Sequence, residues 1–71
     1  MALNTNQIEM MQEDMTAELI KRLMKARNIS IEEAFKTLYN SRTYEALQRP
    51  ETGLYFQSSG YIYAYLEEEL K

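Results

Sequence analysis

Residues 54–71, LYFQSSGYIYAYLEEELK, decide the fold, because they admit both a hairpin and a helix. Tyr61, Tyr63 and Tyr65 alternate with Ile62, Ala64 and Leu66, so β-propensity draws two strands turning at Ser58, Ser59 and Gly60. A lone two-stranded ribbon is marginal in water, and nothing upstream supplies a third strand. With a helical period, the same stretch puts Ile62, Leu66 and Leu70, with Tyr61 and Tyr65, on one broad apolar face. It also offers Ser58 or Ser59 as cap and ends in a helix-forming run over 66–71. The helix is the better-supported reading, with 54–57 as an extended lead-in whose side chains cover the core. That choice makes the whole chain all-α.

Upstream, the punctuation agrees. From about Asn6 to Arg27 there is neither Gly nor Pro, and Ile8, Met11, Met15, Leu19, Leu23 and Ala26 recur at steps of three and four. Ile20 and Met24 widen that stripe past the usual width of about 100°, so this helix is expected to meet apolar surface on two sides. Glu18 and Arg22 stand at the spacing of a helical ion pair, and the acids precede the bases along the helix dipole. Ser30 with Glu33 forms a capping box, and Ile31, Ala34, Phe35, Leu38 and Tyr39 fill the template of an apolar helix face. Asn40 is placed to end that helix in a left-handed conformation, and Ser41 or Thr43 to cap a short third one running to Gln48. Residues 49–53, RPETG, are the strongest turn signal in the chain. The expectation is an all-α single domain over 1–71 with three to four helices, an extended segment near 54–57, and a candidate disordered lead at 1–7.

Composition narrows the chemistry. At 71 residues and 8.4 kDa the chain has room for one small core. A hydrophobic share of 45% against 27% charged is that of a globular protein rather than a disordered one. There is no Cys and no His, which removes disulfides, thiolate chemistry, the usual zinc sites and imidazole acid–base catalysis. Gly occurs only at 53 and 60, so no glycine-rich phosphate cradle exists. Carboxylate pairs such as Glu9 with Glu13, or Asp14 with Glu18, read as solvated helix face rather than as a cation site. Tyr39, Tyr44, Tyr61 and Tyr65 fall at packing positions and read as core. No catalytic residue, cofactor or metal is expected. No apolar run has the length of a spanning helix, and the first residues lack the pattern of a secretory signal, so a cytoplasmic chain is expected, with no membrane partner.

Two functional readings remain. All five Met lie within residues 1–24 and all eight Tyr and Phe from Phe35 onward, and both residue types are favoured at interfaces. The first reading is therefore a non-enzymatic protein–protein interaction protein, with Met11, Met15, Ile20, Met24, Tyr55 and Tyr63 as contact residues and a dimer among its forms. The second is a nucleic-acid-binding regulator with a helix-turn-helix-like arrangement using Lys21, Arg22, Lys25 and Arg27. A net charge of −3 and the acids Glu32 and Glu33 at the start of the would-be recognition helix speak against it.

Residues 39–41 (YNS) followed by Thr43 and Tyr44, the turn TGLY at 52–55, and S-x-x-Y-x-Y at 58–63 carry a further signal. Over about residues 16–70 the chain resembles a family of short bacterial proteins, often encoded near toxin-like genes that include ADP-ribosyltransferase-like ones. The resemblance implies a regulatory or antitoxin-like role with a toxin-like protein as partner. It brings no catalytic or binding residues with it.

Overall fold

The computed structural model describes residues 3–71 and is built of four helices: α1 (Thr5–Arg27), α2 (Ile31–Tyr39), α3 (Arg42–Leu47) and α4 (Ser59–Leu70). Two 3₁₀ turns, Pro50–Thr52 and Leu54–Phe56, join α3 to α4. Among the described residues there is no strand, so residues 59–70 take the helical alternative. No described helix is long and apolar enough to cross a membrane.

Each helix starts where a side chain satisfies the orphan amides of its first turn. Asn4 accepts from the Gln7 amide at 2.8 Å while the Gln7 side chain accepts from the Asn4 amide at 3.0 Å, a reciprocal box ahead of α1. Ser30, Ser41 and Ser58 accept from the amides of Glu33, Tyr44 and Tyr61 and so start α2, α3 and α4. Residues 1 and 2 of the expected disordered lead lie outside the described residues, and helix is already present at Thr5.

The core is one cluster. Met15, Leu19 and Leu23 form one row of α1 with Ile20 beside it, Ala34 and Leu38 come from α2, Leu47 from α3, and Ile62 and Leu66 from α4. Leu19, Leu23, Leu38, Leu47, Ile62 and Leu66 are shielded from solvent completely, and each contributes roughly 1.5–3 kcal/mol of apolar burial.

The short helix α3 is held at both ends by other helices. At its N-terminus the Glu69 carboxylate of α4 accepts from the Arg42 amide, from the Thr43 amide at 2.9 Å and from the Thr43 hydroxyl at 2.7 Å. At its C-terminus the buried Gln12 side chain of α1 donates to the Leu47 carbonyl at 3.0 Å. Partial burial alone would raise the Glu69 pKa, but hydrogen bonds from the Arg42 amide and from the hydroxyl and amide of Thr43 outweigh it. The carboxyl is held below the usual Glu range.

Several sequence expectations are corrected. Residues 54–56 are not extended: Gly53 turns the chain at φ 69, Leu54–Phe56 coil into a 3₁₀ turn, and only Gln57 has extended backbone. The Thr52 hydroxyl sits 2.8 Å from the carbonyls of both Ala46 and Arg49, which tightens this connection. The left-handed asparagine is Asn28, at φ 53, whereas Asn40 lies at φ −91 and returns its amide groups to the Lys36 carbonyl. Glu18 does not pair with Arg22, because the Arg22 guanidinium turns to α4 and donates to the Ser59 hydroxyl at 3.1 Å. Tyr61 and Tyr65 are about half exposed, since the buried row of α4 is Ile62 and Leu66 and the neighbouring row faces outward.

Two outcomes follow from this geometry. At Gly53 an added methyl meets no atom within 4 Å, so Gly53→Ala isolates the cost of the left-handed backbone. A loss of about 1–2 kcal/mol in urea denaturation is expected, with helix content unchanged. Because the Glu69 pKa is lowered on folding, its stabilisation is full above the ordinary Glu value and is lost as pH falls through the folded pKa. Glu69→Gln should lie about 1 kcal/mol below the parent chain at pH 7, with the gap in thermal melts closing towards pH 3.

Candidate interaction groove

The expectation that α1 meets apolar surface on two sides bears directly on the site. The row Met15, Leu19 and Leu23 enters the core, whereas the adjacent row Thr16, Ile20 and Met24 turns to a groove of about 840 Å³. Ile8, Gln12 and Ala17 continue that wall along α1. Ile8 and Met24 are sixteen residues apart, so the wall runs roughly 24 Å at the helical rise.

The opposite wall is aromatic. Ile31, Phe35 and Tyr39 recur every four residues on α2, and Tyr44 of α3 extends the series. The ring centres of Phe35 and Tyr39 are 5.2 Å apart and those of Tyr39 and Tyr44 4.8 Å, both tilted, as aromatic quadrupoles prefer. Gln48 and Pro50 close one end. Burial, with the neighbouring Tyr39 phenol, pushes the Tyr44 phenol above its ordinary pKa. The charged residues lining the groove divide along its length, with Glu9 and Glu13 towards one end and Lys21 towards the other.

Two binding features of this groove matter. Its volume falls in the range of ligand pockets, but it is a long open trough flanked by helices, the shape that receives an amphipathic helix. Its apolar lining includes residues that are substantially exposed, with Ile31 at 47% and Tyr39 at 50%. These two, with Phe35, complete the apolar face of α2 in the sequence. In the fold only Ala34 and Leu38 of that face are buried, and the remainder forms the groove wall.

The six contact residues read from the sequence separate. Ile20 and Met24 line the groove, but Ile20 is a core residue at 4% exposure, so of the two only the half-buried Met24 is open to contact. Met15 belongs to the core, so it is unavailable as a contact residue. Met11 is half-buried outside the groove lining. Tyr55 and Tyr63 pack half-buried against the core elsewhere, and the Tyr63 hydroxyl donates to Glu67. Of the two groove tyrosines expected in the core, Tyr44 packs against it while Tyr39 is half exposed; the sequence signal for Tyr39 is the excess width of the α2 stripe over a helix nine residues long.

The basic cluster does not form one patch. Arg22 reaches Ser59, and Arg27 lies 3.8 Å from Glu67, both on α4, while Lys21 borders the groove. Among the described residues no group of three or more Asp or Glu converges as a metal ion would need.

No family model, no curated protein and no solved structure matches the chain. The resemblance to short bacterial proteins rests on its motif residues alone.

The raised Tyr44 pKa gives a direct check on the aromatic wall. In a spectrophotometric alkaline titration the Tyr44 phenol should ionise later than an ordinary tyrosine, and Tyr44→Phe should remove one of the late-titrating groups from the six tyrosines. Because its folded pKa is raised, this residue favours the fold below the unfolded value and loses that contribution as pH rises through the folded one.

Proposed function

We propose that this chain is a small non-enzymatic protein–protein interaction module whose contact surface is the groove between α1 and the ring series of α2 and α3. The observation that carries the reading is the groove itself, a trough of about 840 Å³ with aliphatic and methionine side chains on one wall and three successive tilted rings on the other. Aromatic and Met side chains supply large contact area at modest entropic cost, and they are enriched where proteins meet. The lining is mainly apolar, with acids towards one end of the α1 wall and Lys21 towards the other, which suits a helix face better than a reacting small molecule. The motif resemblance adds a regulatory or antitoxin-like role, with a toxin-like protein as one candidate partner. A nucleic-acid role gains no support, because two of the four basic side chains it needs are turned onto α4.

Affinity purification from the native cell with the intact chain as bait, alongside three point variants, tests this reading. Ile31→Glu and Tyr39→Arg alter exposed groove residues, and Tyr65→Arg alters an exposed ring outside it. The bound protein, be it another chain or a second copy, should drop at least about tenfold with the two groove variants and persist with the third. Equal capture by all of them would sink the groove as the contact surface, as would a folded chain that neither captures a protein nor self-associates.

A further inference from the structure

We infer that the occupant of the groove is α1 of a second copy, lying antiparallel to the first about a two-fold axis near Ala17. This inference rests on the protein-contact reading and names its partner.

The charges of α1 are separated along its axis. Glu9, Glu13, Asp14 and Glu18 precede Lys21, Arg22, Lys25 and Arg27. Among the described residues, the ion pairs within 4.0 Å are Arg27 with Glu67, Arg49 with Glu45 and Lys71 with Glu68. The four acids of α1, and with them Lys21 and Lys25, therefore have no such partner among the described residues. Acid-first polarity agrees with the helix dipole, but the dipole acts only within the first and last turns. Here the first turn of α1 carries no acid, whereas Lys25 and Arg27 stand in its last turn and suit the dipole. The four acids and Lys21 are thus the charges left without such a role.

A closed two-fold interface requires a patch that is complementary to itself after reversal. Side by side in parallel, two α1 helices would set acid against acid. Reversed, they set the acidic half of each over the basic half of the other. With the axis near Ala17, Glu13 and Asp14 of one copy come level with Lys21 of its partner. Ala17 is exposed, small and on the groove wall, so backbones can approach closely at the axis. Met10, which is 63% exposed, comes level with Met24 of the other copy, seven residues on the far side of the axis. Each α1 then also lies under the Phe35 and Tyr39 rings of the opposite copy, and the two pairs of α1 and α2 make a four-helix layer.

Sedimentation of the full chain over a micromolar concentration series tests the association, and introduced thiols test its direction, because the chain has no cysteine of its own. A dimer is expected, and Ala17→Arg should render it monomeric with its circular dichroism spectrum unchanged and its melting temperature that of the parent chain diluted to monomer. Glu13→Lys and Lys21→Glu should each raise the dissociation constant at least about tenfold, and the double exchange Glu13→Lys with Lys21→Glu should restore it. An equimolar mixture of Met10→Cys and Met24→Cys chains should give the mixed disulfide, and Met10→Cys alone should not cross-link. A monomer up to hundreds of micromolar, a dimer indifferent to Ala17→Arg, or efficient linkage of Met10→Cys to itself would overturn the inference. If the monomer still captures another protein through Tyr39 and Ile31, the second copy is refuted and the contact reading stands; if it captures nothing, both fall.

Discussion

The clamp on α3 is the constraint from which the rest of the architecture follows. A helix of six residues does not persist in water on its own, because nucleation costs more than so few hydrogen bonds return. Here its free amides are taken by Glu69 of α4 and its last-turn carbonyl by Gln12 of α1, so its two ends are tied to the first and last helices of the chain. The buried Ser41 hydroxyl completes the arrangement: it donates to the Leu38 carbonyl at 2.5 Å and accepts from the Tyr44 amide at 3.0 Å, welding the end of α2 to the start of α3. Once α3 is fixed, Leu47 fills the core and Tyr44 is held beside Tyr39. The aromatic wall of the groove thus depends on polar contacts that do not themselves line it, apart from Gln12.

Local signals in the sequence were sufficient for the helices and their starts. Ser30, Ser41 and Ser58 cap where spacing and residue type indicate, and the period of Ile62 and Leu66 prevails over the β-propensity of the tyrosines between them. The Asn4 and Gln7 box is equally local, but the residues before Ile8 offer little apolar pattern to mark a helix there. What the sequence hides is contact at long separation. Glu69 and Thr43 are 26 positions apart, and Gln12 and Leu47 are 35 apart. Nothing at either position distinguishes them from neighbouring exposed Glu and Gln residues. The 3₁₀ turn at 54–56 escaped for a related reason: bulky Leu, Tyr and Phe suggest strand, and only the left-handed Gly53 with the Thr52 hydroxyl bends them into a turn.

The contact residues were legible only in part, and the reason is the breadth of the stripes. An apolar helix face wider than one contact has to serve two surfaces, and periodicity does not say which residues go to which. On α1 the division falls between neighbouring rows, so Met15 goes inward while Thr16 and Met24 go to the groove. On α2 it falls between Leu38 and Tyr39. A sequence reading that treats each stripe as one face assigns everything on it to the core. Tyr39 departs from that assignment, being half exposed, whereas Phe35 and Tyr44 pack against the core and line the groove as well.

Helix lengths explain why the groove stays open. With 23 residues α1 is roughly 34 Å long, comparable to the 40 Å long axis of the molecule, whereas α2 and α3 have nine and six residues. Placed end to end, these two reach roughly 22 Å along it. The helix with the broadest stripe is therefore opposed by the two shortest, and of its second row Ile20 is buried while Thr16 and Met24 stay half-buried. Lengthening α2 would close the trough, but Ser41 and the Glu69 clamp stop it at Tyr39 and start a new helix at Arg42. The same contacts that stabilise this small core thereby leave the groove between the two walls open, with Ile31 and Tyr39 about half exposed along it.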